Sequence, residues 1–346
     1  MFEGHTRDLL QLQLCFAKDS RFKDVSVVAG GGYGCTYRVK YEDSTRPDLK
    51  SFLIKRAHTY EKAREALIVE KEYISKMRGG MHIVQVVDIL NNPLEIHDFQ
   101  DPWLALEWLP NGTLNQFIWH AREQNLGHLP NRLLWKFFLC LFRGLCGMAW
   151  PRNRQDNLVE TEQPVPGVPP GNLQHNDLHR GNVMIGEFEP NGEHGTTPVL
   201  KIIDFGRSEE LVIAPGDTTA VQLNLYDIGK LMVMLITLDP TVKCNPLRPA
   251  RVDYLGEFIL TQANEIIRPR DPTKPYLYPW LDEWLTTIIA LCMATDNDNR
   301  PTLQAMNTWL PYAVVNRHEG FYNDPQESDT RVSEVCHMCI FNPPHV

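Results

Sequence analysis

Residues Leu173–Ile185 read LQHNDLHRGNVMI. Two histidines, two asparagines, an aspartate and an arginine fall within the eight residues from His175 to Asn182, and an apolar run follows at once. Side chains this polar do not form a core by themselves, because every buried polar group needs a partner. The apolar run is short enough for a buried strand. The pattern predicts a loop that carries chemistry, anchored by the strand behind it. NVMIGEF (182–188) and VLKIIDF (199–205) are the two predicted strands, joined by a loop containing glycine and proline, and the second runs into Asp204-Phe205-Gly206.

Upstream, residues 9–17 predict a short helix. VSVVAGGGYGCTYRVKY (25–41) alternates apolar and polar residues around a glycine cluster, which predicts strand, turn and strand. SFLIKRA (51–57) is a short strand pattern ending near Lys55. EKAREALIVEKEYISKM (61–77) combines good helix formers with apolar residues at helical spacing. IVQVVDIL (83–90) and PWLALEWL (102–109) are two further strand patterns. NGTLNQFIWHARE (111–123) and NRLLWKFFLCLFRGLCGMAW (131–150) predict helices, the second apolar nearly all round and therefore central. Residues 151–171 are rich in proline and charge and predict an exposed insertion. From Asn224 onward the chain predicts mostly helix, and beyond about residue 318 the periodicity fades into a loosely held tail.

The composition narrows the function classes. The 346 residues are 43% hydrophobic and 22% charged, with a formal net charge of −9 and no long basic run. Nucleic-acid binding needs a concentrated positive surface and is not expected. No apolar run reaches the roughly eighteen residues of a membrane span, so no membrane partner is expected and the chain is expected to be soluble, in cytoplasm or nucleus. Eight cysteines lack a framework spacing, which suits reduced thiols. Cys336 and Cys339 form a single C-x-x-C pair, a weak zinc signal on the expected tail.

Five separated pieces occur in a fixed order. AGGGYG (29–34) lies between two strand patterns; Lys55 follows FLI; Glu70 sits in the next helix; HNDLHRGN precedes a strand pair; DFG closes the second strand. Each is weak alone, and their order and contexts make them strong together. With these pieces, from about Val25 to Leu310, the sequence resembles the protein-kinase superfamily. The resemblance implies an α+β bilobal fold, with an N-terminal helical extension (1–22), a β-rich N-lobe with one main helix (23–109), a mostly helical C-lobe (110–318) carrying the exposed insertion at about 151–171, and a C-terminal tail (319–346).

The resemblance also implies roles and the cofactors ATP and Mg²⁺. Gly31 and Gly34 match the glycines that cover the phosphates, and Lys55 would pair with phosphates and with Glu70. Glu72 is the runner-up for that pairing; Glu70 is preferred because it leaves Tyr73, Ile74 and Met77 to the core. Asp177 would accept the proton of the acceptor hydroxyl, and Asn182 and Asp204 would hold magnesium. His175 would be structural, packed against Phe205 and continued by Ile74. Glu107 and Leu109 match the hinge that hydrogen-bonds adenine, and Arg300 matches a buried arginine late in the family's fold.

Several residues depart from the family's pattern. Ala29 replaces the first glycine, Thr36 a valine, Leu53 an alanine under the adenine, Asn176 the arginine before the catalytic aspartate, His179 a lysine, and Asn224 an aspartate; A-P-E is absent, leaving Arg300 without its usual glutamate. Three functions remain open: transfer of ATP's γ-phosphate to a protein hydroxyl, most directly Ser or Thr; a small-molecule kinase of the aminoglycoside- or choline-kinase kind, favoured by HNDLH and the short segment after Asp204; and a weakly active or silent nucleotide-binding scaffold, favoured by Leu53.

Overall fold

The period-2 alternation around the glycine cluster produces an antiparallel sheet in the computed structural model, which describes residues 2–341 apart from 97–101, 155, 157, 190, 191, 215, 270 and 272. In chain order the elements are α1 (Phe2–Phe16), β1 (Phe22–Gly30), β2 (Gly34–Tyr41), β3 (Ser51–Ala57), α2 (Glu61–Lys76), the single turn α3 (Pro93–Ile96), β4 (Trp103–Glu107), α4 (Leu114–Glu123) and α5 (Asn131–Ala149). Then follow β5 (Leu173–Gln174), β6 (Val183–Phe188), β7 (Pro198–Ile202), β8 (Glu209–Glu210), α6 (Ala220–Thr237), β9 (Ala250–Tyr254), β10 (Glu257–Thr261), α7 (Glu283–Cys292), α8 (Leu303–Asn316), α9 (Glu319–Tyr322) and α10 (Asp329–Ile340). The architecture is α+β: a four-stranded antiparallel sheet in the order β1-β2-β3-β4, two-stranded ladders, and helices that dominate the second half.

The sheet has two apolar faces, and strand alternation sorts residues between them. Phe52, Ile54, Tyr37 and Val39 face a cluster closed by Leu12 and Phe16 of α1. Leu53, Leu104 and Leu106 belong to the larger cluster that runs through α2 into α5 and α6. Lys55 stands opposite Thr36 on β2 and Leu104 on β4, so it shares this second face. α1 is therefore the cover of the sheet's other side.

The stretch 83–90, expected as a strand, makes only isolated bridges, Ile83 to Ile202 and Val86 to Leu106. Its backbone divides its bonds between two partners. Val84 N–H donates to Ile202 O, Val87 N–H donates to Ala105 O, and Gln85 O accepts from Glu107 N–H. No single ladder continues long enough to make a strand.

α5 carries apolar side chains on every face and is buried almost throughout, as expected. Pro130 at its N-cap offers no side-chain acceptor. The missing cap comes from the far end of the chain. Glu327, 3% exposed, accepts Asn131 N–H at 2.7 Å and Arg132 N–H at 2.9 Å. A carboxylate there satisfies two orphan donors and complements the helix dipole.

Two expectations for the second half are corrected. Residues 250–261, expected within a helical region, form the β9–β10 hairpin. Its two-residue turn, Leu255-Gly256, has positive φ at both positions, the geometry that matches strand twist. Residues 319–341 are not loosely held: in α10, Val332, Val335, Cys336 and Cys339 are buried at i, i+3, i+4 and i+7, a helical stripe. His120 Nδ1 on α4 meets Cys339 O at 2.7 Å. Cys336 and Cys339 thus pack into the core. The insertion at 151–171 lies largely on the surface, as expected, except for Glu162, which is 1% exposed. Among the described residues no helix is long and apolar enough to cross a membrane.

Replacement of the distant cap gives a direct test. Glu327→Ala leaves the N–H groups of Asn131 and Arg132 without acceptors and lowers stability by about 2–3 kcal/mol in a urea melt, the sum expected for a lost cap and lost charged hydrogen bonds. Glu327→Gln, which keeps one acceptor oxygen, loses less. Equal stability of all three chains would show that α5 does not depend on its cap.

Candidate active site

β3, α2 and the segment after β7 meet at one lysine. Lys55 Nζ donates to Glu70 Oε2 at 2.6 Å and to Asp204 Oδ1 at 2.8 Å. Strand alternation turns Lys55 away from Ile54 and Arg56, and the helical period turns Glu70 inward with Leu67 and Ile74. Glu72 instead pairs with Lys76 on the surface, which separates the two candidate glutamates. Burial pushes the Glu70 carboxyl up to about 6 against the opposing charge of Lys55. Burial works against ionised Lys55 as well, but Glu70 and Asp204 outweigh it and hold the ammonium above its ordinary range. Asp204 is held below the usual carboxylate range, since Lys55 overcomes the effect of burial.

The loop that opened the sequence analysis is fastened from beneath. His175 is fully buried and packs on Phe205 with ring centroids 4.8 Å apart. Ile74 belongs to the same cluster as Phe205. The ring is hydrogen-bonded at both nitrogens: Nδ1 accepts Asp177 N–H at 3.3 Å, which makes Nε2 the donor to Ile203 O at 3.0 Å. Burial lowers its pKa to about 4, which favours the neutral imidazole, and both ring nitrogens are taken up by main-chain groups. Asn182 donates its side-chain N–H to Asp177 O at 2.9 Å, and its backbone carbonyl accepts Ile203 N–H. Asn182 is buried, and its carboxamide oxygen is the side-chain atom not used in these bonds. Asp177 and Asp204 line the same cleft as Lys55.

Asn176 and Asp204 both adopt positive φ, +62° and +66°. Asparagine and aspartate tolerate this region better than other side chains. Asn176 also donates to Glu209 Oε1 at 2.8 Å, which ties the loop to β8. Asn224 has a comparable local reason: it accepts His175 N–H at 3.1 Å and donates to Leu173 O at 2.9 Å. A carboxylate could make only the first bond. Arg300 donates to the carbonyls of Ala294 and Gln222 and lies over the Tyr226 ring at 4.9 Å.

The cleft encloses about 710 Å³, within the range of small-molecule sites, roughly 300–1,000 Å³. Leu53, Thr36 and the β1–β2 turn form one wall; Glu107 and Leu109 lie where β4 passes toward α4. The volume remains open with Leu53 in place. Glu107's carboxylate is held by Lys201 and by Gln85 N–H, both at 2.8 Å. The two glycines of the turn differ. A Cβ at Gly31 would enter open space, whereas one at Gly34 would lie 2.0 Å from Arg56 O. Gly34 is required by the close approach of β3 whether or not a phosphate binds.

Five contacts escape the motif. Arg207, directly after DFG, places Nη1 3.6 Å from Asp177 Oδ1 and lines the cleft. His179 Nε2 is 3.9 Å from the same oxygen. Arg180 is occupied by Asn115 Oδ1 at 2.6 Å, so the positive group beside Asp177 is Arg207. His58 Nε2 and the Tyr60 hydroxyl hold the carbonyls of Gly31 and Gly32 respectively, and nothing in the sequence HTY marks that role. No protein-family model matches the chain, and no curated protein matches it.

Lys55→Met tests the buried charge cluster. Without the lysine, burial acts on Glu70 unopposed, and its pKa rises further above the ordinary 4.5. The folded state then keeps a proton that the unfolded state releases, so the variant's stability falls as pH rises from 5.5 to 8. The deficit relative to the parent chain widens by about 1–3 kcal/mol across that window. A deficit independent of pH would contradict the assignment of Glu70 as the partner.

Proposed function

We propose that the chain is a bilobal phosphotransferase of the protein-kinase type, moving the γ-phosphate of Mg·ATP to a protein hydroxyl of Ser or Thr. The observation that carries this reading is Lys55 joined to Glu70 and Asp204 in the cleft that also presents Asp177. On this reading the β1–β4 sheet with α2 is the N-lobe and the region from α4 through α8 is the C-lobe.

The donor set fits the implied metal. Asp204 and Asn182 offer the hard oxygen atoms that Mg²⁺ prefers, and these two residues would hold it. When bound, the ion would neutralise charge on the β- and γ-phosphates. Lys55 would place its ammonium against the α- and β-phosphates, with Glu70 fixing its position. The backbone of Glu107 and Leu109 would meet the adenine edge. Asp177 accepts the proton of the attacking hydroxyl as its oxygen forms a bond to phosphorus; the bond from that phosphorus to the bridging oxygen breaks and ADP leaves. Arg207 supplies positive charge beside Asp177 where the family's lysine is absent.

A second reading, a small-molecule hydroxyl as acceptor, is favoured by one observation. Among the described residues between Asp204 and α6 there is only the two-residue β8 and a short run, a small platform for a peptide. Transfer from labelled ATP to a protein mixture, set beside a panel of aminoglycoside and amino-alcohol acceptors, separates the two.

Two outcomes are expected. ATP raises the melting temperature far more with Mg²⁺ than with EDTA, since selective binding stabilises by about 2.7 kcal/mol at a hundredfold excess over Kd. An identical shift in EDTA would remove the metal roles of Asn182 and Asp204. Asp177→Asn keeps that shift and loses transfer by about 10²–10⁴-fold. Full transfer by the variant would assign the base elsewhere.

A further inference from the structure

We propose that His82, Cys140 and His194 form a buried zinc site, with Glu162 orienting His82 from behind. The three side chains come from separate parts of the chain: the segment after α2, the middle of α5 and the β6–β7 connection. All are buried, at 0%, 1% and 2% exposure, and one ligand atom from each lies within 4.8 Å of the others. His82 Nε2 and His194 Nε2 are 3.1 Å apart. Tetrahedral zinc with bonds of about 2.0–2.1 Å to nitrogen needs nitrogens roughly 3.3 Å apart, so this edge of the site is nearly formed. Cys140 Sγ meets the other ring nitrogen of His194, Nδ1, at 3.6 Å. The His194 ring thus stands between the other two donors, and it must turn to aim one nitrogen at an ion shared by all three.

Glu162 supplies an independent observation. Its Oε2 lies 2.6 Å from His82 Nδ1, and its Oε1 accepts His82 N–H at 2.8 Å. With Nδ1–H bonded to the carboxylate, Nε2 is the nitrogen presented to the ion. A carboxylate behind a ligating histidine is the usual way such a ring is oriented and made more basic. Glu162 is the buried residue of an otherwise largely exposed insertion, so the insertion reaches the interior at this cluster. One thiolate and Glu162 together balance the two charges of the ion, which suits a buried site. The connection bearing His194 also holds Glu193 Oε2 and Thr197 Oγ1, buried without hydrogen-bond partners. The fourth zinc position is left to water or to a donor from this connection.

The site would fasten four segments at the base of α2, the helix that carries Glu70. Binding releases the Cys140 thiol proton to solvent as the sulfur takes the metal. Zinc is preferred to magnesium or calcium because sulfur and imidazole nitrogen are poor ligands for hard cations.

The test uses the full chain, purified without chelator and dialysed, with zinc measured by inductively coupled plasma mass spectrometry. About one zinc per chain is expected. Cobalt exchanged into the chain should give a thiolate-to-metal charge-transfer band and tetrahedral visible bands, both absent from Cys140→Ser. Glu162→Gln keeps all three ligands and should weaken zinc binding by about 10–100-fold, the usual cost of losing an orienting carboxylate. If Cys140→Ser does not fold, the cobalt spectrum of the parent chain still decides. A folded parent chain that holds substoichiometric zinc and gives no charge-transfer band with cobalt overturns the proposal, leaving a metal-free hydrogen-bonded cluster. None of these readouts involves phosphoryl transfer.

Discussion

The arrangement of the cleft depends on one ammonium group held by two carboxylates. Lys55 joins β3 to α2 through Glu70 and to the segment after β7 through Asp204, 149 residues away. Burying Glu70 without a cation would be costly, and a charge pair is tolerated in such a place when its remaining bonds are made. Lys55 satisfies both partners at hydrogen-bonding distance. Asp204 keeps its left-handed backbone beside the buried His175–Phe205 stack, which positions Asp177 in turn. The orientation of α2 and the conformation of the polar loop are thereby coupled.

Much of this was legible in the sequence because its signals are periodic or local. Alternation marked β1, β2 and β3; the helical period separated Glu70 from Glu72; the polar crowd at His175–Asn182 marked a loop pinned between strands. The misses share a different cause. The edge segment 83–90 has strand composition, but its backbone bonds go to two partners, which no local pattern encodes. The α10 stripe was present in the spacing of Val332, Val335, Cys336 and Cys339, but the short helix lies among polar residues that weakened the signal. The turn Leu255-Gly256 lacks the asparagine or aspartate that usually advertises such a hairpin.

The departures from the expected motif acquire local explanations. Asn176 occupies a positive-φ position and binds Glu209; Asn224 both donates and accepts, as a carboxylate could not; Arg300 is held by main-chain carbonyls. These residues preserve the loop while changing its attachments. Arg207, adjacent to DFG, shows that charge near Asp177 can come from a different place in the sequence. Long-range polar contacts of this kind, like Glu327 capping α5 and Glu162 reaching His82, are set by the tertiary fold and have no sequence period.

The central claim is that this cleft holds Mg·ATP with its terminal phosphate toward Asp177. A crystal structure of the chain with magnesium and a non-hydrolysable ATP analogue tests it most directly. The account predicts adenine against the backbone of Glu107 and Leu109, Lys55 on the α- and β-phosphates, and metal on Asp204 and the Asn182 carboxamide oxygen. A nucleotide bound elsewhere, or in this cleft with its phosphates away from Lys55 and Asp204, would contradict it.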